Sequence, residues 1–184
     1  MNKTEALQYL DSQQDFLFHT SDSIWDNPET DYHEEKSSAI LKNALTEAGF
    51  TVQSGLAGIP TAFSGSYGSG KPVIGFLGEF DALSGLSQEA GITEKKPIAE
   101  GGNGHGCGHN LLGTGSLAAA IAVKKYLEDS GKPGTVIFFG CPAEEGGSGK
   151  AFMAKAGVFD GVDIALSWHP NNLNSVWSFS TLAN

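Results

Sequence analysis

The sequence predicts an α/β protein, a three-layer α/β/α sandwich with a mixed, mostly parallel central sheet. Apolar runs of strand length recur at residues 72–80, 135–139 and 162–168, as in strands that are buried on both faces. Helical patterns separate these runs, and such alternation is typical of a sheet with helices on both sides. The 25 glycines cluster between the runs without a fixed period, which favours tight loops and excludes collagen-like repeats.

The N-terminal quarter of the chain is expected to be helical. Apolar residues from Leu7 to Trp25 recur at roughly helical spacing, and a second helix is expected from about 29 to 48. Gly49 would end that second helix. Short strands are then expected at 50–52 and 61–63, and the Ser- and Gly-rich residues 64–70 predict a turn.

The rest of the chain alternates between strands and helices. After the strand at 72–80, a polar, Gly-rich loop is expected over about 84–108, and a loop of this length is usually functional or disordered. The small residues of the helix expected at 111–127 would let it lie close to a sheet. The remaining expected elements are a strand at 135–139, a helix at 148–156, a strand at 162–168 and an alternating strand at 175–180.

Composition narrows the class of protein. A chain of 184 residues is bounded to about one domain and can bury a core without disulfides. Cys107 and Cys141 lie in unlike contexts, which argues against a disulfide scaffold and predicts a reducing, cytoplasmic setting. The 21 acidic against 11 basic side chains disfavour a nucleic-acid binder. No run approaches the roughly 20 apolar residues of a membrane span, and no secretory signal is recognisable.

Residues with ligand chemistry follow three of the expected strands. Asp81 follows the first, Glu144 and Glu145 follow the second, and His169 follows the third. Ligands of open α/β sheets bind beyond the carboxyl ends of the strands. The sequence therefore predicts that these side chains meet at one edge of the sheet and hold a metal ion.

The run His105-Gly106-Cys107-Gly108-His109 precedes the long helix. Thiolate and imidazole both suit zinc, and imidazole also suits manganese, cobalt or nickel. The glycines would let near neighbours reach one ion, and the helix N-terminus just beyond would favour the thiolate of Cys107. The alternative is a Gly-rich loop with incidental histidines, because the run lacks the Cys-x-x-Cys pairs of structural zinc sites.

The glutamate pair predicts acid–base chemistry. Adjacent residues in an extended loop point apart, so one carboxylate can bind metal while its neighbour takes a proton from an activated water. Each of these residues also has a purely structural interpretation. The glutamate pair could form a solvated acidic turn, His169 could be a structural histidine, and Asp81 could serve as a cap or lie in a turn. A cysteine nucleophile at Cys107 paired with a histidine base competes with the metal hypothesis, but it leaves the glutamate pair unexplained.

Three ordered motifs resemble those of a known family. Residues 104–110 resemble a His-x-Cys-Gly-His-Asp/Asn motif, residues 142–146 a Pro-Ala-Glu-Glu-Gly motif, and residues 78–83 an Asp-x-Asp-Ala-Leu segment. All three motifs belong to the dinuclear-metal amidohydrolases of the aminoacylase/carboxypeptidase superfamily, metallopeptidase family twenty, subfamily D. The similarity extends from about Glu5 to the end of the chain.

The resemblance implies a zinc-exopeptidase-like fold and two divalent ions, zinc or manganese. It implies that the metals and a glutamate base activate water, and that the base passes the proton to the leaving nitrogen. The implied roles are metal ligation by Cys107, His109, Glu145 and His169, general base catalysis by Glu144, and orientation of a ligand by Asp81. The role of His105 is left open.

The resemblance also implies a substrate class. Family members cleave the amide between an acyl or aminoacyl group and an amino acid. Residues 79–81 and 140–142 fit the aminobenzoyl-glutamate utilization branch, whose suggested substrate is p-aminobenzoyl-glutamate, a folate breakdown product cleaved to p-aminobenzoate and glutamate. Aminoacylase-like or dipeptidase-like specificity is the alternative.

The chain departs from the family pattern in two residues and in length. Glu79 and Asn110 stand where aspartates are usual. Family members continue with a lid and dimerisation domain and then a returning segment that supplies a fifth ligand, a histidine. Residues 1–184 are therefore expected to be the N-terminal portion of a catalytic domain, holding one metal or none and catalytically incomplete, whereas full-length members are expected to be homodimers.

Overall fold

A mixed five-stranded sheet organises the protein in a computed structural model, which describes residues 2–173 and 175. The strands are β1 (Thr51–Ser54), β2 (Phe63–Ser69), β3 (Val73–Glu79), β4 (Gly134–Cys141) and β5 (Ile164–Leu166). Their order across the sheet is β1-β2-β4-β3-β5. Strand β2 is antiparallel to β1 and β4, whereas β3 is parallel to β4 and β5.

Helices cover both faces of this sheet. They are α1 (Lys3–Ser12), α2 (Gln14–Trp25), α3 (Glu35–Glu47), α4 (His109–Ser130), α5 (Glu144–Gly147) and α6 (Gly149–Lys155). The larger core joins α2, α3 and α4 to one face through residues such as Leu41, Leu117 and Phe138. A smaller core on the other face joins Phe139 to Met153 of α6. The predicted α/β class, with helices on both faces, is confirmed.

Two predicted elements differ from the structure. Residues 64–70 were expected to form a turn, but β2 occupies 64–69 because it pairs with β4 along its whole length and with β1 over its first four residues, and sheet pairing outweighs local propensity. The helix expected from 29 to 48 begins only at Glu35. The Glu29 side chain instead accepts hydrogen bonds from the Lys36 and Ser37 amides, at 3.1 and 2.9 Å, and so caps the helix from outside.

The strand expected at 61–63 overlaps the structure only at Phe63, where β2 begins, because the two residues before it belong to a turn. The other expected helices and strands lie close to their predicted positions, with ends shifted by a few residues. The strand expected at 175–180 lies outside the described residues, apart from Ser175 itself. Among the described helices, none has the length and apolar character needed to cross a bilayer.

The parallel half of the sheet positions the candidate site. Glu79 at the end of β3 lies opposite Cys141 at the end of β4, and β5 pairs with the other side of β3. The loop between β3 and α4 contains no helix and no strand, but a bridge between Leu83 and Gly104 closes its base. Residues 105–109 therefore return to the carboxyl end of β3.

Candidate metal centre

His109, the first residue of α4, lies at the centre of the site and is 1% exposed. Its Nδ1 lies 2.8 Å from Asp81 Oδ1 in a buried hydrogen bond. Its Nε2 lies 3.2 Å from Glu79 Oε2 and 3.8 Å from Glu145 Oε1, without hydrogen-bond geometry to either. Asp81 thus fixes the ring, and Nε2 faces a group of carboxylates.

The surrounding carboxylates control the protonation of His109. Burial lowers the pKa of the imidazole, but the bond to Asp81 and the charges of Asp81, Glu79 and Glu145 outweigh that effect and raise the pKa above its usual value. The site therefore has a negative electrostatic potential, which favours the binding of a cation.

Asp81 joins two parts of the site. It is 1% exposed, and its second oxygen, Oδ2, accepts a hydrogen bond from the Glu145 amide at 2.9 Å. Glu79 and Asp81 are two residues apart at the end of β3, where alternate side chains point to the same side. Both carboxylates consequently reach the imidazole of His109.

Cys107 and His169 approach His109 from two other segments. Cys107 Sγ lies 3.3 Å from His169 Nε2, and the rings of His109 and His169 are 5.7 Å apart. Ligand atoms of Cys107, His109 and His169 all lie within 4.8 Å of one another. A thiol and two imidazoles at this separation match the ligand types of a zinc site.

The thiol of Cys107 does not have the environment expected from the sequence. The helix N-terminus was expected to favour the thiolate, but burial, the adjacent Glu145 carboxylate and the charges of Glu144 and Glu79 raise the pKa of the thiol to about 12. Nearby carboxylates outweigh the helix dipole because full charges exceed partial ones. Such a thiol is a poor nucleophile, which disfavours the cysteine-hydrolase hypothesis.

The glutamate pair supplies further carboxylates to the site. Oxygens of Glu79 and Glu144 form a second group with His109, again within 4.8 Å, and Glu144 is exposed. Glu145 is partly buried and belongs to neither of these two groups, although its Oε1 is 3.8 Å from His109 Nε2. The structure thus places the other five predicted site residues around His109.

Two residues near the site were not predicted as site residues. Glu79 was treated only as a departure from the family pattern, although its position two residues before Asp81 was a usable signal. Lys150 of α6 lies 2.5 Å from Glu79 Oε1, and nothing in the sequence indicates this ion pair. Lys150 balances part of the negative charge beside His109.

His105 lies outside both ligand groups. It is buried, its Nε2 is 3.1 Å from the Ile24 carbonyl, and its ring stacks on Trp25 at 6.3 Å. Burial lowers its pKa to about 4, so the ring is neutral near pH 7. His105 therefore anchors the Gly-rich loop to the end of α2 and does not face the candidate ligands.

The residues present fit a divalent cation. His109 Nε2 and Glu145 Oε1 are buried and have no hydrogen-bond partner in the described structure, whereas buried polar atoms are normally paired. A cation bound between the imidazole and the carboxylate would satisfy both atoms. A cleft of about 990 Å³ opens beside His169, and its walls include Leu17, Leu111 and Trp168.

Comparisons with known proteins agree with these motifs. The chain is 58% identical to one subunit of the p-aminobenzoyl-glutamate hydrolase of Escherichia coli over 164 residues, which cover 89% of this chain and 34% of that protein. It is 31% identical to a mouse Xaa-Arg dipeptidase over 95% of this chain and 39% of that protein. The chain therefore spans little more than a third of the length of these curated relatives.

A solved structure shows the same fold. The Bacillus subtilis YXEP protein, described as a dinuclear metal binding peptidase, matches with a TM-score of 0.72 and 21% identity over 88% of this chain and 44% of that chain. The model of peptidase family M20/M25/M40 matches residues 75–178, which include Asp81, the glutamate pair and His169. The resemblance predicted from the motifs is confirmed: this chain belongs to peptidase family M20/M25/M40.

Proposed function

We propose that this chain carries the metal centre of an amidohydrolase that cleaves the amide between an acyl or aminoacyl group and an amino acid. The observation that supports it most is the convergence of Cys107, His109 and His169 beside carboxylates at the ends of parallel strands. The proposed metal ligands are Cys107, His109, Glu145 and His169. Two Zn²⁺ or Mn²⁺ ions are proposed for the complete site, because this donor set suits both metals.

Each residue has a distinct part in the proposed reaction. A divalent cation lowers the pKa of water and polarises a carbonyl group. Glu144, exposed at the site, takes a proton from the attacking water and then delivers it to the leaving nitrogen. Asp81 holds His109 through Nδ1, which keeps Nε2 available as a ligand.

The proposed substrate is p-aminobenzoyl-glutamate, cleaved by water to p-aminobenzoate and glutamate in the breakdown of folates. The high identity to the E. coli hydrolase supports it. The apolar walls of the cleft beside His169 suit an aromatic acyl group. Dipeptidase-like specificity is the alternative, since the mouse relative is named as a dipeptidase.

The proposal extends to the whole protein. We propose that residues 1–184 are the N-terminal portion of a catalytic domain, because the chain spans only 34% of its E. coli relative. A cytoplasmic setting is proposed because Cys107 and Cys141 are both free thiols. A homodimer is proposed on the family resemblance. The E. coli relative is named as one subunit of its hydrolase, which makes a complex with a different protein the alternative arrangement.

A second candidate function follows from the same partial coverage. The chain would then be a metal-binding portion of a larger protein, catalytically incomplete by itself, and it would bind metal without hydrolysing substrate. Elemental analysis of bound Zn²⁺ or Mn²⁺ per chain, combined with a p-aminobenzoate release assay, separates the two. About two ions with chelator-sensitive hydrolysis supports the hydrolase, whereas about one ion without hydrolysis supports the metal-binding portion.

Glu144→Gln tests the proposed base. The substitution keeps the size of the side chain but removes its ability to take a proton, so we expect hydrolysis to fall about 100-fold or more with bound metal unchanged. Glu128→Gln, on the exposed surface of α4, is the matched control and should leave both unchanged. Hydrolysis by Glu144→Gln at the wild-type rate would rule out the proposed role of Glu144.

A further inference from the structure

The glutamate pair begins α5, a single helical turn whose flanking residues have an unusual backbone. Ala143 immediately before it has φ of +53°, and Ser148 after it has φ of +55°. Residues other than glycine rarely adopt this left-handed conformation, and they keep it only where the surroundings enforce it. Something must therefore hold the ends of this turn.

The segment formed by residues 31–34 packs against that turn. Its first two residues, Asp31 and Tyr32, are themselves left-handed, with φ of +42° and +66°. The Tyr32 hydroxyl donates a hydrogen bond to the Gly147 carbonyl. The Asp31 carboxylate and the Tyr32 ring occupy the space that side chains at positions 146 and 147 would fill.

Glu34 makes the contact nearest to the glutamate pair. Its Oε1 accepts hydrogen bonds from the Ala143 amide at 2.9 Å and from the Tyr32 amide at 3.1 Å. The Glu145 amide is held in the same way by Asp81 Oδ2 at 2.9 Å. Two buried carboxylates thus anchor the backbone on either side of Glu144.

Glu34 occupies this position at a cost to stability. It is fully buried, and its Oε2 has no partner with hydrogen-bond geometry among the described residues. Burial raises the pKa of its carboxyl, and the surrounding backbone amides and the Thr61 hydroxyl offset only part of this effect. A core contact alone would be served better by an apolar side chain.

We propose that Glu34 is a positioning residue that sets the directions of Glu144 and Glu145 through the Ala143 amide. This inference rests on the proposed roles of that pair, with Glu144 as base and Glu145 as metal ligand. Loss of the anchor would release Ala143 from its left-handed conformation and move the Glu145 carboxylate away from His109 Nε2.

Zn²⁺ affinity and amide hydrogen exchange of the full 184-residue chain test the proposal. In Glu34→Ala we expect Zn²⁺ to bind about 10-fold to 100-fold more weakly and the Ala143 amide to exchange faster. Glu34→Gln keeps an acceptor oxygen, so it should retain the wild-type Zn²⁺ affinity and the slow exchange of the Ala143 amide. If Glu34→Ala does not fold, Glu34→Asp replaces it, because its carboxylate is one methylene too short to reach Ala143.

Glu29→Ala is the matched control. The Glu29 side chain caps α3 from the same region of the chain, and its recorded hydrogen bonds go to α3 and not to the turn, so its loss should lower thermal stability and leave Zn²⁺ affinity unchanged. Wild-type Zn²⁺ affinity of Glu34→Ala would overturn the proposal, whether or not the Ala143 amide exchanges faster. Equal loss of affinity in Glu29→Ala would also overturn it, because the effect would then be one of general stability.

The two readouts separate this inference from the proposed function. If the wild-type chain binds no Zn²⁺, the proposed metal centre fails, and exchange at the Ala143 amide still decides whether Glu34 holds the turn. If the wild-type chain binds Zn²⁺ and Glu34→Ala binds it equally well, the positioning role fails and the metal centre stands.

Discussion

A single carboxylate organises the centre of the site. Asp81 accepts from His109 with one oxygen and from the Glu145 amide with the other. The ring orientation of His109 and the backbone position of Glu145 therefore depend on one buried side chain. The family motif indicated the first of these contacts, whereas the second depends on the folded turn after β4 and has no signal in the sequence.

Asp81→Asn should weaken metal binding. An asparagine has only one acceptor oxygen, whereas Asp81 accepts two hydrogen bonds. The NH₂ group of the asparagine would therefore point at an N–H donor, either that of the imidazole or that of the Glu145 amide. We expect Zn²⁺ affinity, measured by competition with a chelator, to fall about 10-fold to 100-fold.

Asp163→Asn is the control for this substitution. Asp163 also accepts a backbone hydrogen bond, from the Val73 amide at 2.8 Å, and pairs with Lys71, but both contacts lie at the start of β3. Its loss should not change Zn²⁺ affinity. Equal affinities of Asp81→Asn and wild type would show that Asp81 does not orient the ligands.

At the scale of elements, the site depends on how closely α4 packs against the segment after β5. The small residues of α4 were expected to allow a close approach. A Cβ at Gly115 would overlap the ring of Trp168, whose Nε1 donates to the Leu112 carbonyl at 3.1 Å. Trp168 directly precedes His169, so this contact places the histidine beside Cys107.

Gly115→Ala should change stability differently in the wild-type chain and in a Trp168→Ala chain. In a helix, glycine to alanine usually gains about 1 kcal/mol. Here the overlap with Trp168 should cost about 1–3 kcal/mol, which cancels or exceeds that gain. In a Trp168→Ala background the overlap is absent, and Gly115→Ala should stabilise the chain.

Urea unfolding of the four chains in this double-mutant cycle measures the difference. The free energy of unfolding should rise on introducing alanine at position 115 only when Trp168 has been removed. The same change in both backgrounds would mean that the ring does not press on the helix.

At the scale of the whole molecule, the sheet of the described residues ends at the short strand β5. Strand β5 pairs only with β3 among the described strands, and Ile164 and Leu166 are each 45% exposed. Exposed, apolar edge strands favour pairing with another chain.

Ile164→Lys should therefore reduce self-association of the 184-residue chain. A lysine on an edge strand opposes pairing with a second strand through its charge. Sedimentation velocity at several protein concentrations should show a concentration-dependent wild type and a more monomeric variant. Ile98→Lys, on the long loop and 71% exposed in the wild type, is the control and should associate like the wild type.

Much of this architecture follows from local patterns in the sequence. The strands at 73–79 and 134–141 were predictable because strands buried on both faces need continuous apolar residues. The carboxyl ends of parallel strands lie at the same edge of a sheet. This was enough to predict that Asp81, the glutamate pair and His169, which follow three such strands, lie close together.

Other features depend on contacts between distant parts of the chain. Strand β2 forms in a Ser- and Gly-rich segment because partners on both sides satisfy its backbone. Glu34 reaches Ala143 across 109 residues, and the high pKa of Cys107 arises from burial and from carboxylates that other segments bring near it. Local propensity carries no information about such contacts, because burial and charge at a site are set by which segments meet there.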